Sequence, residues 1–246
     1  MLYEDVVERI AGEIAEAYDA LQNQGKRLIV IHGAGSFGNP IIKKHKLEKG
    51  TKNSLDIATV CRASPYYMLV NGILVRYLNE AGVPAYPFQP TTVVEMWNRR
   101  ISSAYLRVLE KLISLDVVPV IGCMPAYDSR IGFSILRGEE LAAYLARLLD
   151  VDRLVFATDV DGVYTADPKL SRRADFIPEI RGREDIKEYL SGGHGVDVTG
   201  GMRSMVETVL GIPAPVYIVN GTVPGRIKKA ILGERVKCTI IHPMPI

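Results

Sequence analysis

An α/β fold with a largely parallel sheet is predicted by three features of this sequence. Short apolar runs alternate with amphipathic stretches, a glycine-rich turn follows the first of those runs at once, and 246 residues at 48% hydrophobic content suffice to bury a core without disulfides or a structural metal. The charge is nearly balanced, with 30 Lys and Arg against 28 Asp and Glu. A net charge of +2 gives no whole-molecule field for gathering nucleic acid or an anionic membrane, so neither is expected as a partner. Cys61, Cys123 and Cys238 are odd in number and widely spaced, which argues against both a disulfide framework and a zinc site and points to a reducing compartment. The amino-terminal stretch MLYEDVVERI is acidic and amphipathic, and no stretch approaches the roughly 18 apolar residues of a membrane helix. The expected location is the cytoplasm.

Val6, Val7, Ile10, Ile14, Ala17, Tyr18 and Leu21 recur at three- and four-residue spacing and predict a helix from about 3 to 24, closed by Gly25. Arg27–Ile31 is a continuous apolar run expected to be a central strand buried on both faces. Ser64-Pro65 resembles an N-cap followed by a first-turn proline and predicts a helix to about 81. A helix over 104–115, a strand over 117–121, a hairpin over 127–136 around Asp128-Ser129-Arg130, a helix over 139–149 and a strand over 153–157 follow. After a long polar stretch come a helix over 202–210, a strand over 215–219, a helix over 222–232 and a strand over 236–241. The Lys43–Lys52 segment is expected to be a solvated surface loop, with an anion-gathering role open because of its place beside the glycine-rich turn.

Three motifs could carry chemistry. His32-Gly-Ala-Gly-Ser-Phe-Gly38 lies between a strand and Pro40, a suitable first-turn helix residue. Glycines there let backbone N–H groups converge on an anion without Cβ obstruction. A phosphate cradle, a dinucleotide site and a purely structural tight turn all remain open, although the acidic residue that a dinucleotide site needs on a second strand is lacking. Thr158–Pro168, with Asp159, Asp161 and Asp167, occupies the carboxyl end of a strand, where α/β sheets bind ligands. It lacks the register of a calcium loop, and a turn capped by its own Asp and Thr side chains is the alternative. Asp197-Val-Thr-Gly-Gly-Met202 precedes a helix and is either an anion-ready N-terminus or a plain helix cap.

In this order and spacing, these strings, with Gly132–Leu141 and Asn220–Ile227, resemble the amino-acid-kinase superfamily, and within it the isopentenyl phosphate kinases. The similarity runs from about residue 3 to 241. It implies an open αβα sandwich with a mainly parallel sheet, one domain over 1–246 with a phosphate-acceptor lobe to about 150 and a nucleotide lobe over 151–246, and a homodimer. It further implies that ATP and Mg²⁺ serve to phosphorylate a small phosphate monoester. By resemblance Gly33, Ala34, Gly35, Ser36 and Gly138 bind the acceptor phosphate. Thr158, Asp159, Gly162, Tyr164, Asp167 and Met205 line the nucleotide site, and Gly35, Asn39, Gly201 and Arg203 take the catalytic positions, with no protein residue assigned to metal. Tyr66, Met68, Leu69, Val70 and Ile73 would wall the isoprenoid pocket or simply pack the core.

Four departures from the family pattern bear on catalysis, because phosphoryl transfer depends on cations and N–H groups that neutralise developing charge. The sequence begins at the helix that follows the family's K-x-G-G-S strand. The family's histidine after S-F-G is Asn39, its lysine three residues after G-G-M is Met205, and the acidic residue of its G-D pair is Cys123. Two functions are therefore expected: an ATP-dependent kinase of isopentenyl phosphate or a similar ester, or a silent nucleotide-binding paralogue acting as a regulatory or partner subunit.

Overall fold

The computed structural model describes residues 3–33, 44–45, 50–51, 53–186 and 200–243, and the chain divides between Leu141 and Ala142 into two compact units. The first helix, α1 (Glu4–Gln22), starts with Glu4 and Asp5 in its first turn, where carboxylates favour the positive end of the helix dipole. It buries Ile14, Ala17 and Leu21 of the predicted stripe, with Ala11 and Glu13 beside them. Gly25, at φ +68°, turns the chain out of the helix, and the Lys26 N–H reaches back to the Leu21 carbonyl at 2.9 Å.

The first unit holds a parallel three-stranded sheet of β1 (Val30–His32), β2 (Ala85–Phe88) and β5 (Val118–Gly122), in the order β1-β5-β2. The central strand is β5, buried along its whole length, whereas β1 is half-buried and, among the described residues, pairs over Val30–His32. The expectation of a central strand at 27–31 is thus corrected: the slot between two neighbours belongs to β5. Arg27 lies outside the strand and pairs with Asp116 at 2.7 Å.

Helix α2 (Ser54–Glu80) begins eleven residues before Pro65, a second correction. Its cap is Asn53, whose side chain accepts the Asp56 N–H at 3.0 Å. Ser64 does not cap; its hydroxyl bonds back to the Val60 carbonyl at 3.0 Å inside the helix. Pro65 sits on the exposed side of the helix, where water can satisfy the carbonyl that its missing N–H leaves free. A second sheet, β4-β3-β6-β7, is built from β3 (Val94–Trp97), β4 (Arg100–Ala104), β6 (Pro125–Asp128) and β7 (Gly132–Ile135). The last two form the predicted hairpin. The expected helix over 104–115 is shorter, α3 (Arg107–Ser114), because Arg100–Ala104 pairs with β3.

Helix α4 (Gly138–Leu148) crosses into the second unit, which holds β8 (Leu154–Thr158), β9 (Val163–Tyr164), β10 (Phe176–Ile177), β11 (Glu179–Ile180), α5 (Gly200–Val209), β12 (Val216–Asn220), α6 (Arg226–Leu232) and β13 (Cys238–Ile241). Its main sheet runs β11-β13-β12-β8, with β8 parallel to β12 and β11 parallel to β13, while β12 and β13 are antiparallel. Val206, Val209, Ile212, Val216, Ile218 and Ile241 form the centre of its core. Helix α6 is shorter than the predicted 222–232, since Thr222–Gly225 is a turn closed by Gly225 at φ +79°. The fold is the predicted α/β class, with parallel pairing in both main sheets.

Candidate phosphate and nucleotide sites

Each unit presents one candidate site at the carboxyl ends of its parallel strands. In the first unit β1 ends at His32, in register with Gly122 of β5, and the Cys123 N–H donates to the His32 carbonyl at 2.8 Å. Gly33 follows, exposed. Gly138 opens α4 beside these strands: a Cβ there would lie 3.7 Å from the Ile31 side chain and 3.9 Å from the Cys123 sulfur. The structure therefore brings Gly138 to the ends of β1 and β5, beside the strand that Gly33 follows 105 residues earlier in sequence, so the N-terminus of α4 opens at these strand ends. Arg137 stands beside them, 3.4 Å from Glu139 and 3.9 Å from Glu140, and Glu140 accepts the Ile101 N–H at 3.1 Å. Ala34, Gly35, Ser36 and Asn39 lie outside the described residues, as does most of Lys43–Lys52.

Cys123 is no substitute for the family's acidic residue. Burial, with Glu139 adding to it, pushes its thiol up to about 12, so it stays neutral near pH 7. On α2, Val70 is buried and Ile73 half-buried, while Tyr66, Met68 and Leu69 are about half exposed. These three occupy the helix face turned away from Val60, Ala63 and Tyr67, which pack with Met124, so they are not core packing.

In the second unit five of the predicted nucleotide residues, between Thr158 and Asp167, follow from the end of β8. Thr158 ends β8 in register with Asn220 of β12; its hydroxyl donates to the Val160 carbonyl at 2.9 Å, and its carbonyl accepts the Gly221 N–H at 2.8 Å. Asp159 projects into solvent and pairs with Lys169, whose N–H is in turn accepted by Asp167 at 2.8 Å. Tyr164 meets the Phe176 ring edge-on at 5.4 Å. Gly162, at φ +155°, is obligatory: a Cβ would crowd the Thr239 hydroxyl and come within 2.8 Å of the Thr239 nitrogen.

Asp161, noted in the sequence only as part of a possible turn, is the organising charge of this site. It accepts from Arg226 at 2.6 Å, Asn220 at 3.1 Å and Lys237 at 2.7 Å. These bonds, that of Lys237 foremost, hold its carboxyl at about 2, well below its ordinary value. Asn220 and Arg226 stand in a string that the sequence singled out, but nothing local marks Lys237, which arrives from before β13. On α5, Gly201 is exposed and Arg203 pairs with Glu207 at 2.9 Å. Met205 is buried in the core cluster with Val206 and Val209, so its placement in the nucleotide site is corrected: at position 205 the helix turns toward the interior.

Parallel strands that end in glycines beside a helix N-terminus define a protein of the phosphate-handling α/β class. The chain belongs to the amino acid kinase family, whose profile its sequence matches over residues 4–220. Within that family it is similar to isopentenyl phosphate kinases. It is 34% identical to that of Methanocaldococcus jannaschii over 94% of this chain and 87% of the relative, and 32% identical to that of Methanothermobacter thermautotrophicus over 96% and 90%. A solved isopentenyl phosphate kinase structure matches with a TM-score of 0.85 at 29% identity, covering 98% of this chain and 92% of the other.

Proposed function

We propose that this protein is a cytoplasmic, homodimeric kinase that transfers the γ-phosphoryl group of ATP to a small phosphate monoester, with isopentenyl phosphate as the acceptor and isopentenyl diphosphate as the product. The observation that carries this reading is the placing of Gly138, at the start of α4, against Ile31 and Cys123 at the ends of β1 and β5, in a chain similar to isopentenyl phosphate kinases over nearly its whole length. A site made of backbone N–H groups and a helix N-terminus suits a phosphate dianion.

The reading assigns Gly33, Ala34, Gly35, Ser36 and Gly138 to the acceptor phosphate, and Thr158, Asp159, Gly162, Tyr164 and Asp167 to the nucleotide. Of the carboxylates there, Asp161 is fully engaged by three donors, whereas Asp159 is exposed with Lys169 as its partner. One available carboxylate fits Mg²⁺, which is commonly held by one or two carboxylates together with the nucleotide's own phosphates. Bound there, Mg²⁺ would neutralise charge that develops on the transferring group. No general base is needed, because the acceptor phosphate is already an oxyanion near neutral pH. Arg203 and Gly201 at the start of α5 complete the assigned catalytic set, with Asn39 as a neutral donor.

Mass-spectrometric detection of product after incubation with Mg-ATP and isopentenyl phosphate, beside a panel of other phosphate monoesters, tests the proposal. Diphosphate formed from isopentenyl phosphate is the expected result. Turnover of another ester in its place overturns the acceptor assignment, and turnover of none overturns the kinase reading.

A further inference from the structure

At the strand ends of the second unit one carboxylate faces two cations. Lys169 is matched by Asp159 and Arg203 by Glu207, one charge to one charge. Asp161 instead gives Oδ1 to Arg226 and Asn220 and Oδ2 to Lys237, which leaves the group of four side chains with a surplus positive charge. Arg226 and Lys237 repel each other across the shared carboxylate, and an anion bound there relieves that repulsion.

Of the two cations, Lys237 is the one that can reach outward. The Arg226 side chain is 20% exposed, whereas that of Lys237 is 54% exposed, on a flexible stem whose ammonium carries three donors. One donor goes to Asp161 at 2.7 Å, and the Phe176 ring lies under the ammonium, its centroid 5.3 Å from Nζ. Two supports thus hold the charge in place while more than half of the side chain stays in solvent.

Strand pairing sets where this charge stands. Cys238 is in register with Val219, so Lys237 lies just beyond it, at the end of the sheet where Thr158 and Asn220 finish β8 and β12. Phe176, beneath the ammonium, packs edge-on against Tyr164. The surplus charge therefore sits beside the stretch assigned to the nucleotide, while Met205 of α5 is buried and supplies none.

We infer that Lys237 is a nucleotide-binding residue: its ammonium, braced by Asp161 and Phe176, donates to a phosphate oxygen of the bound nucleotide, and Arg226 remains to neutralise Asp161. This rests on the nucleotide assignment of the proposed function and not on turnover of any acceptor.

The test measures the Kd of Mg-ADP by calorimetry for the full chain and for Lys237→Met, Lys237→Arg and the double variant Lys237→Met with Asp161→Asn. Lys237→Met should weaken binding about tenfold or more, as expected for one lost charge-assisted hydrogen bond, and Lys237→Arg should restore most of it. The double variant, which has no unmatched carboxylate, should stay as weak as Lys237→Met. A second measurement needs no substitution: in the wild-type chain, saturating Mg-ADP should slow acetylation of Lys237 about tenfold, read by mass spectrometry, and leave the exposed Lys111 unchanged. Wild-type affinity in Lys237→Met, recovery of affinity in the double variant, or a Lys237 acetylated equally fast with Mg-ADP bound overturns the inference and leaves the nucleotide assignment standing. A wild-type chain that binds neither Mg-ADP nor Mg-ATP overturns both.

Discussion

Arg226 and Asp161 meet at 2.6 Å across 65 residues of chain, and Lys237 closes on the other carboxylate oxygen at 2.7 Å. Three segments of the second unit are thereby tied at the strand ends proposed to hold the nucleotide. Because the folded carboxyl sits at about 2 rather than its ordinary 3.8, its contribution to stability is complete above the ordinary value and is lost as pH falls toward 2. Asp161→Asn should lower stability at neutral pH by about 2 kcal/mol and flatten the fall in Tm between about pH 4 and pH 2, measured by thermal denaturation across that range.

Asp128 is fully buried and accepts four backbone N–H groups, from Asn98, Arg99, Arg130 and Ile131, at 2.7–3.2 Å. Burial works to raise its carboxyl, but these donors outweigh it and hold the group below its ordinary value. Asn98 and Arg99 both take positive φ, so the β3–β4 turn is held against its backbone preference. Asp128→Ala should cost about 3 kcal/mol in urea denaturation, and Asp128→Asn less, since one acceptor oxygen remains.

Gly162→Ala should destabilise the second unit by more than about 2 kcal/mol, because the new methyl meets the Thr239 backbone nitrogen as well as its hydroxyl, and the backbone cannot swing aside. Scanning calorimetry would check it.

Gly35→Asp places a carboxylate where the acceptor phosphate is proposed to bind. Turnover should fall by more than about 10²-fold in steady-state assays, while ATP affinity measured by calorimetry stays unchanged. Retained turnover would remove the glycine-rich turn from the site.

Met205→Lys returns the residue that the family pattern carries, but into a position 9% exposed among Val206 and Val209. It should destabilise by about 3 kcal/mol and bring no gain in turnover, measured by denaturation and by product formation.

The alternation of apolar runs and helices was legible because buried parallel strands and amphipathic helices have distinct periods, and β5, α1, α4, β8 and β12 stand within a few residues of their predicted places. Pro65 misled because a proline at a helix start and one on a helix's exposed flank look alike in sequence; Asn53, twelve residues upstream, supplied the real cap. Strand β2 escaped because its pattern, buried at both ends and exposed between, matches neither period. The glycines at 33, 138 and 162 could be singled out because each stands in a short local motif, although what they make room for, such as Thr239 at Gly162, is distant in sequence. The partners of Asp161 could not, because Lys237 is 76 residues away and only the pairing of β12 with β13 delivers it. Met205 was misplaced for a related reason: a family position identifies a residue number, while the direction it faces is decided by the packing of α5.

In the second unit β13 lies between β11 and β12, and the Thr239 side chain in β13 accepts the Val163 N–H and donates to the Ile177 carbonyl. On a ribosome, β13 emerges after every other strand of the described residues. The Val163 N–H beside Gly162 must therefore wait about 75 residues for its partner, and β11 about 60, so this part of the proposed nucleotide pocket completes its hydrogen bonds late.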